Sequence, residues 1–188
     1  AELATKTAPG SVDGNGNFVS CASYDEEILD CDNSAVYVNS AGKVLDGPEF
    51  YTVFDGKTGA AIDTVSYPFP RGNLYDWGDS SGNRVDRFLA CAASLDGKTV
   101  SVVTLRGYYG KTTACAYNLI DSRLTEVARF DTSDDSMGIY AGQGNHNIAA
   151  ADIDGDGCDE ILTGSLCLDN DLTPLWLSLI HISEPTRP

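Results

Sequence analysis

The sequence predicts an all-β chain made of propeller blades, and three observations carry that expectation. Short β-branched and aromatic runs alternate with Asp/Gly/Asn turns, and no window holds an apolar stripe at helical spacing. The strand sets also recur as self-similar, four-stranded units of roughly 40 to 50 residues, the period of propeller blades. On that reading residues 1–177 form a partial β-propeller of about three to four blades.

The elements follow in chain order. Glu49-Phe50-Tyr51-Thr52-Val53-Phe54 reads as a strand, Asp55-Gly56-Lys57-Thr58-Gly59 as its turn and residues 60–67 as the return, which together make a hairpin. A second set holds strands at 85–94, 100–105, 112–118 and 124–130, with turns at Leu95-Asp96-Gly97-Lys98 and Asp121-Ser122. The third set opens at His146, passes through an Asp-rich loop and continues in strands at 160–164 and 166–168.

That loop, Asp152-Ile153-Asp154-Gly155-Asp156-Gly157-Cys158-Asp159-Glu160, looks like a calcium site leading into a strand. Asp152, Asp154 and Asp156 sit two apart, so alternate side chains can turn onto one cation, and Gly155 and Gly157 permit the tight backbone path. Cys158 can offer its carbonyl, and Glu160 can close the shell from the first strand residue. Ca²⁺ asks for about six or seven oxygens at about 2.3 to 2.6 Å, whereas Mg²⁺ wants a stiffer octahedron. An EF-hand is excluded, because an apolar strand run starts directly after Glu160 where that motif continues its loop toward a helix. The plainer alternative is an Asp/Gly-rich turn without metal, in which these crowded carboxylates repel one another. Ala1-Glu2-Leu3-Ala4 reads like Glu160-Ile161-Leu162, so the chain is expected to begin inside an earlier loop of this kind, with Glu2 as its last ligand.

The composition bounds the function classes. With 188 residues, 42% of them hydrophobic, 19 Gly and 21% charged, the chain is globular and long enough for one ordinary domain. Its formal charge of -16, from 28 acidic and 12 basic residues, argues against a nucleic-acid partner, which needs clustered Lys and Arg. No apolar run is long enough to span a membrane as a helix. The first residue is Ala1 and the one methionine is Met137, so the lack of a leader says nothing about secretion. A monomer is expected.

Six cysteines leave their pairing open. Local pairing would join Cys21 to Cys31 and Cys91 to Cys115; isolated buried thiols are the alternative. No C-x-x-C pair exists, so a zinc site is not expected. Residues 178–188, ending Ile180-His181-Ile182-Ser183-Glu184-Pro185-Thr186-Arg187-Pro188, leave the blade pattern and resemble translated sequencing-adapter read-through. They are expected to be non-native, with no role for His181 or Arg187; a genuine tail is the alternative.

Long motifs outside the Asp-rich loop carry a family resemblance. Val44-Leu45-Asp46-Gly47-Pro48-Glu49-Phe50-Tyr51-Thr52-Val53-Phe54, Arg71-Gly72-Asn73, Asp76-Trp77-Gly78-Asp79 and Gly82-Asn83-Arg84-Val85-Asp86-Arg87-Phe88-Leu89-Ala90 resemble polysaccharide lyase family 11, the rhamnogalacturonan lyases. Arg106-Gly107-Tyr108-Tyr109 and Gly142-Gln143-Gly144-Asn145-His146-Asn147 extend the match over about residues 1 to 170. The resemblance implies a calcium-stabilised, eight-bladed β-propeller, secreted by bacteria, that cleaves rhamnogalacturonan I by β-elimination at galacturonate. It also suggests that His146 completes a calcium shell; a histidine that only makes structural hydrogen bonds is the alternative. Residues 20–36 depart from the family's spacing as a loop insertion does, and the family's following G-H-G-D run is missing after Trp176. No proton-abstracting residue of the family matches a position here, so the catalytic residues are unknown and expected outside the chain, which alone is expected to be inactive.

The candidate substrate contacts are Arg106, Tyr108, Tyr109 and Lys111. Arginine suits a galacturonate carboxylate and tyrosine a sugar face; packing between blades is the alternative for the two tyrosines. Arg84 and Arg87 lie among Asp76, Asp79 and Asp86, which predicts ion pairs within the blade. The same carboxylates, with Asn83, form a candidate second calcium site. Trp77 is expected in the core. Two other functions compete with the lyase: a non-catalytic, calcium-dependent carbohydrate-binding or adhesion propeller, since D-x-D-x-D-G loops also occur in integrin-like repeats, and a purely structural repeat.

Overall fold

The structure, a computed structural model, describes residues 11–12, 18–19, 37–143 and 145–178. The expectations for Glu2, the Cys21 to Cys31 pair and the tail beyond residue 178 lie outside the described residues.

Every extended run pairs antiparallel with its neighbour in the chain. β1 (Ser11–Val12) pairs with β2 (Phe18–Val19), and β3 (Phe50–Phe54) with β4 (Ala61–Ser66). In the β3–β4 turn, Asp55 Oδ1 accepts from the Lys57 and Thr58 amides at 3.0 and 2.8 Å and from the Thr58 hydroxyl at 2.8 Å. The Thr58 hydroxyl and these amides hold the Asp55 carboxyl below its ordinary pKa.

Two four-stranded sheets follow. The first holds β5 (Phe88–Ala93), β6 (Ser101–Gly107), β7 (Thr112–Ile120) and β8 (Arg123–Asp131), in that order. The second holds β9 (Ile148–Ala151), β10 (Glu160–Thr163), β11 (Leu166–Leu168) and β12 (Pro174–Leu177), also in chain order. β12 is not anticipated by the sequence reading, because a leading proline disguises it; an edge position tolerates that residue. β5 starts at Phe88 rather than Val85, since residues 83–86 form a turn.

The chain divides into two compact units. One comprises Ala1–Asp86 with Leu119–Thr125, the other Arg87–Asn118 with Glu126–Pro188. In the second unit, Ala93, Val103, Leu105, Ala114, Ala116 and Phe130 share a buried cluster with Ile161, Leu166, Leu168 and Leu172. The first unit buries Phe50, Tyr67, Phe69, Trp77 and Val85. Trp77, in the core as expected, ends a 3-10 helix (Leu74–Trp77), and its indole N–H donates to Arg71 O at 2.7 Å.

Arg71 is 4% exposed, and its Nη2 lies 3.1 Å from Glu49 Oε1 and 2.6 Å from Asp86 Oδ1. Its amide also donates to Glu49 Oε2 at 3.1 Å, so the Arg71-Gly72-Asn73 motif anchors the first unit.

Cys91 and Cys115 cannot form the expected disulfide. Both are free, and β6 runs between them: Cys91 lies opposite Val103, whereas Cys115 lies opposite Thr104. Cys158 and Cys167 are also free thiols. Burial first, then the Glu160 and Asp169 charges, push the Cys167 thiol up to about 11. No helix among the described residues is long and apolar enough to cross a membrane.

Arg71→Ala strands the Glu49 carboxylate in a buried position without its cation. It is expected to lower the unfolding free energy by about 3 to 5 kcal/mol, read from urea denaturation; an unchanged midpoint contradicts the anchoring role.

Candidate functional site

The Asp-rich loop closes the β9–β10 hairpin, whose ends pair as Ala151 with Glu160. Carboxylates and backbone amides shape it from within. Asp152 accepts from the Gly155 amide at 2.7 Å and the Gly157 amide at 3.1 Å, Asp154 from Asp156 at 3.1 Å, and Asp156 from Cys158 at 2.7 Å. Gly155 and Gly157 take φ of 82° and 93°, which L side chains rarely adopt. The outcome is one exposed group in which an oxygen from each of Asp152, Asp154 and Asp156 lies within 4.8 Å of the others. Among the described residues it is the one such group of His, Cys, Asp or Glu.

Glu160, fully buried at the start of β10, sits outside that triad. Its Oε2 accepts from the Ile153 amide at 2.6 Å, and its Oε1 has no hydrogen-bond partner. A buried carboxylate with an unsatisfied oxygen is costly unless a cation completes it. Hard oxygen donors, a convergent triad and this unsatisfied oxygen together fit an oxygen-ligated divalent cation.

Asp159, which the sequence reading passed over, clasps the loop to the first sheet. Ser94 N–H donates to Asp159 Oδ2 at 2.7 Å and Asp159 N–H returns to Ser94 O at 2.9 Å. Close by, a Cβ on Gly97 would stand 2.9 Å from Gly157 O, so the two turns meet through glycine.

A second cluster stands at the start of β5 and the end of β6. Gly107 (φ 106°) leaves no room for a side chain, because a Cβ there would lie 2.0 Å from Lys111 O. The turn it permits presents Tyr108 and Tyr109, whose rings meet edge to face at 3.9 Å. Gly142 N–H donates to Gly110 O at 2.8 Å, which lays the segment leading to His146 beside this turn. The His146 ring is engaged on both sides: Nδ1 meets Arg87 Nη2, and Nε2 lies 2.5 Å from Tyr108 Oη. Arg87 also stands 5.1 Å over the Tyr108 ring.

Several expected site residues fall elsewhere. His146 lies outside the Asp triad, and its ring nitrogens meet Arg87 and Tyr108. Arg106 is fully buried, its guanidinium 4.8 Å over Phe88, so it cannot be reached by a polysaccharide. Lys111 pairs with Asp131 at 2.9 Å. Of the expected substrate contacts, Tyr109 remains 60% exposed and Tyr108 half-buried.

The candidate second calcium set is dispersed rather than gathered. Asp76 accepts from Asn73 Nδ2 at 3.0 Å, Asp79 from the Ser81 and Arg84 amides at 2.8 and 3.1 Å, and Asp86 meets Arg71. Asp76, Asp79 and Asp86 therefore form no convergent group, and Asn83 sits in the turn between them. Arg84 makes the expected ion pair, 3.7 Å from Asp79, but Arg87 makes none among the described residues.

A family model described as rhamnogalacturonan lyase family 11, C-terminal domain, matches residues 1–184. The chain is 47% identical over 176 residues to rhamnogalacturonan exolyase YesX and 48% identical over 171 residues to rhamnogalacturonan endolyase YesW, both of Bacillus subtilis (strain 168). These matches take in 94% and 91% of the chain but 27% and 26% of the relatives, so the chain spans about a quarter of their length. Among solved structures, the rhamnogalacturonan lyase YesW matches with a TM-score of 0.76 at 45% identity, and Bacillus licheniformis rhamnogalacturonan lyase PL11 with 0.76 at 47%. Each covers 91% of this chain and 27% of the solved one.

Glu160→Gln keeps an acceptor for the Ile153 amide and sheds the buried charge. In a chelator it is expected to match or exceed wild-type stability by up to about 1 kcal/mol; in millimolar calcium the order reverses. Urea midpoints in the two buffers check this, and the same order in both contradicts a cation at the loop.

Proposed function

We propose a function from the premise that the chain belongs to rhamnogalacturonan lyase family 11. It forms the blades of a secreted, monomeric polysaccharide lyase that cleaves the rhamnogalacturonan I backbone of pectin by β-elimination at galacturonate. The observation that carries this reading is near-half identity over 94% and 91% of the chain to relatives named exolyase and endolyase. Those two identities, 47% and 48%, do not separate internal from terminal cleavage. Loops that block or open a cleft decide that mode.

In β-elimination a base takes the proton on C5 of galacturonate. The electron pair of that bond forms the C4–C5 double bond, and the glycosidic oxygen leaves C4 with its own pair. The carboxylate on C5 resists this, because negative charge builds beside it; a cationic group next to the carboxylate relieves the cost. The base is not among the residues matched here, so this chain's part is to support the fold and present groups to the polymer.

The scaffold is a calcium-stabilised, eight-bladed β-propeller, a reading that two successive four-stranded meanders in chain order support. Asp152, Asp154, Asp156, the Cys158 carbonyl and Glu160 would hold one Ca²⁺, which supplies charge neutralisation to the loop when bound. A polymer outside the cell calls for a secreted enzyme.

Two outcomes test this. Rhamnogalacturonan I treated with the full-length protein is expected to gain ultraviolet absorbance from the unsaturated uronate, while the 188-residue chain alone shows no turnover. Polysaccharide binding without that absorbance points instead to a lectin. Calcium at about a hundred times its Kd is expected to raise the melting temperature of the chain by roughly 5 to 10 °C, and Asp154→Ala to remove that rise; a rise of the same size in the variant contradicts the ligand role.

A further inference from the structure

Six Asp-Gly pairs stand in the sequence, and five of them lie among the described residues: Asp46-Gly47, Asp55-Gly56, Asp96-Gly97, Asp154-Gly155 and Asp156-Gly157. At such a pair the backbone can react with its own side chain, because glycine puts no Cβ beside the attacking amide nitrogen. In a folded protein the reaction depends on what that nitrogen and the carboxyl already hold.

In four of the five pairs the carboxylate is turned to later amides. Asp55 Oδ1 accepts from Lys57 and Thr58, and Asp96 Oδ1 from Lys98 and Thr99 at 2.9 and 2.6 Å. Asp154 Oδ1 accepts from Asp156 and Asp156 Oδ1 from Cys158, while the Gly155 and Gly157 nitrogens donate to Asp152. Asp46 differs: it is exposed, and its Oδ1 accepts from the amide of Gly47 itself at 2.8 Å. The carboxyl is thus folded over the one nitrogen that can attack it, and Gly47 takes a φ of 132°, which excludes a shielding side chain. Asp169 and Asn145 make the same contact with the amides that follow them, each at 2.8 Å, but Asn170 and His146 carry side chains that crowd the nitrogen.

We infer that Asp46-Gly47 is a self-modification site, at which the chain converts aspartate to isoaspartate through a cyclic imide. The Gly47 nitrogen bonds to Asp46 Cγ, the C–OH bond of the protonated carboxyl breaks, and the hydroxyl leaves as water with the amide proton. Water then adds to one of the two imide carbonyls and breaks its bond to nitrogen. Addition at Cγ restores aspartate; addition at the main-chain carbonyl leaves a backbone that runs through Cβ and Cγ, one methylene longer. No atom is gained or lost overall. The lengthened backbone lies three residues before Glu49, which meets Arg71 Nη2 at 3.1 Å and whose carbonyl accepts from the Tyr67 amide at 2.8 Å. Conversion at Asp46 therefore loosens the anchor of the first unit.

The 188-residue chain carries its own control. Trypsin, cutting after Lys43 and Lys57, releases one peptide that holds both Asp46-Gly47 and Asp55-Gly56. After incubation at neutral pH, isoaspartate in that peptide is located by electron-transfer fragmentation. Conversion at Asp46 is expected to outrun that at Asp55 by about tenfold or more in the folded chain, and the two are expected to convert at similar rates in urea, where neither geometry persists. Asp46→Glu, whose longer side chain would have to close a larger and slower-forming ring, leaves the first position unreacted. The urea midpoint of the incubated wild-type chain is expected to fall while that of incubated Asp46→Glu holds. Conversion at Asp55 equal to or ahead of Asp46 in the folded chain, or the same ratio with and without urea, overturns the site. An unchanged midpoint once most of the chain carries isoaspartate at Asp46 overturns its link to the anchor.

Discussion

The second unit depends on how closely two β-sheets approach through small side chains. Ala93, Ala114 and Ala116 place little more than a methyl between backbone and the facing Ile161, Leu166, Leu168 and Leu172. Interiors of this density tolerate neither voids nor extra methylenes without strain. Because the distance is short, the turns beyond the core also touch, and Gly97 meets Gly157 where any Cβ would clash. The mutual hydrogen bonds of Asp159 and Ser94 then hold the Asp-rich loop in register with the neighbouring sheet.

Negative charge serves this chain chiefly as local architecture. Asp55, Asp96, Asp131 and Asp171 each accept from amides two residues on, the pattern by which short carboxylates close turns. The amides of Thr99 and Lys98 hold the Asp96 carboxyl below its ordinary pKa, as a turn-closing role requires. Asp152, Asp154 and Asp156 make similar bonds, so turn closure alone does not distinguish them. What does is that an oxygen from each lies within 4.8 Å of the others, in a loop that ends at a buried glutamate with an unsatisfied atom.

Much of the fold was legible in the sequence because alternation and turn chemistry are local. The hairpin of β3 and β4, the strands of the first sheet and the hairpin at Asp121-Ser122, both with positive φ, follow from residues a few positions apart. Trp77 in the core and the Asp triad were legible for the same reason. Side-chain partners were not. Arg106 lies within the donor-rich Arg106-Gly107-Tyr108-Tyr109 run, yet strand register turns it inward opposite Phe88 and Thr113. Asp86 and Arg87 are adjacent in sequence but meet Arg71 and His146, partners 15 and 59 residues away. Pairing at that range is set by the packing of whole sheets. Cys91 and Cys115 failed as a pair for a related reason: a whole strand separates them.

Both four-stranded sheets order their strands as the chain does, and this bears on how the protein is made. Each new strand adds to the one just before it, so a sheet forms by closing short loops at small entropic cost. A nascent chain can therefore complete one sheet before the next has been synthesised. An error of register stays within the sheet where it arises, and the sheets already formed do not have to be undone to correct it.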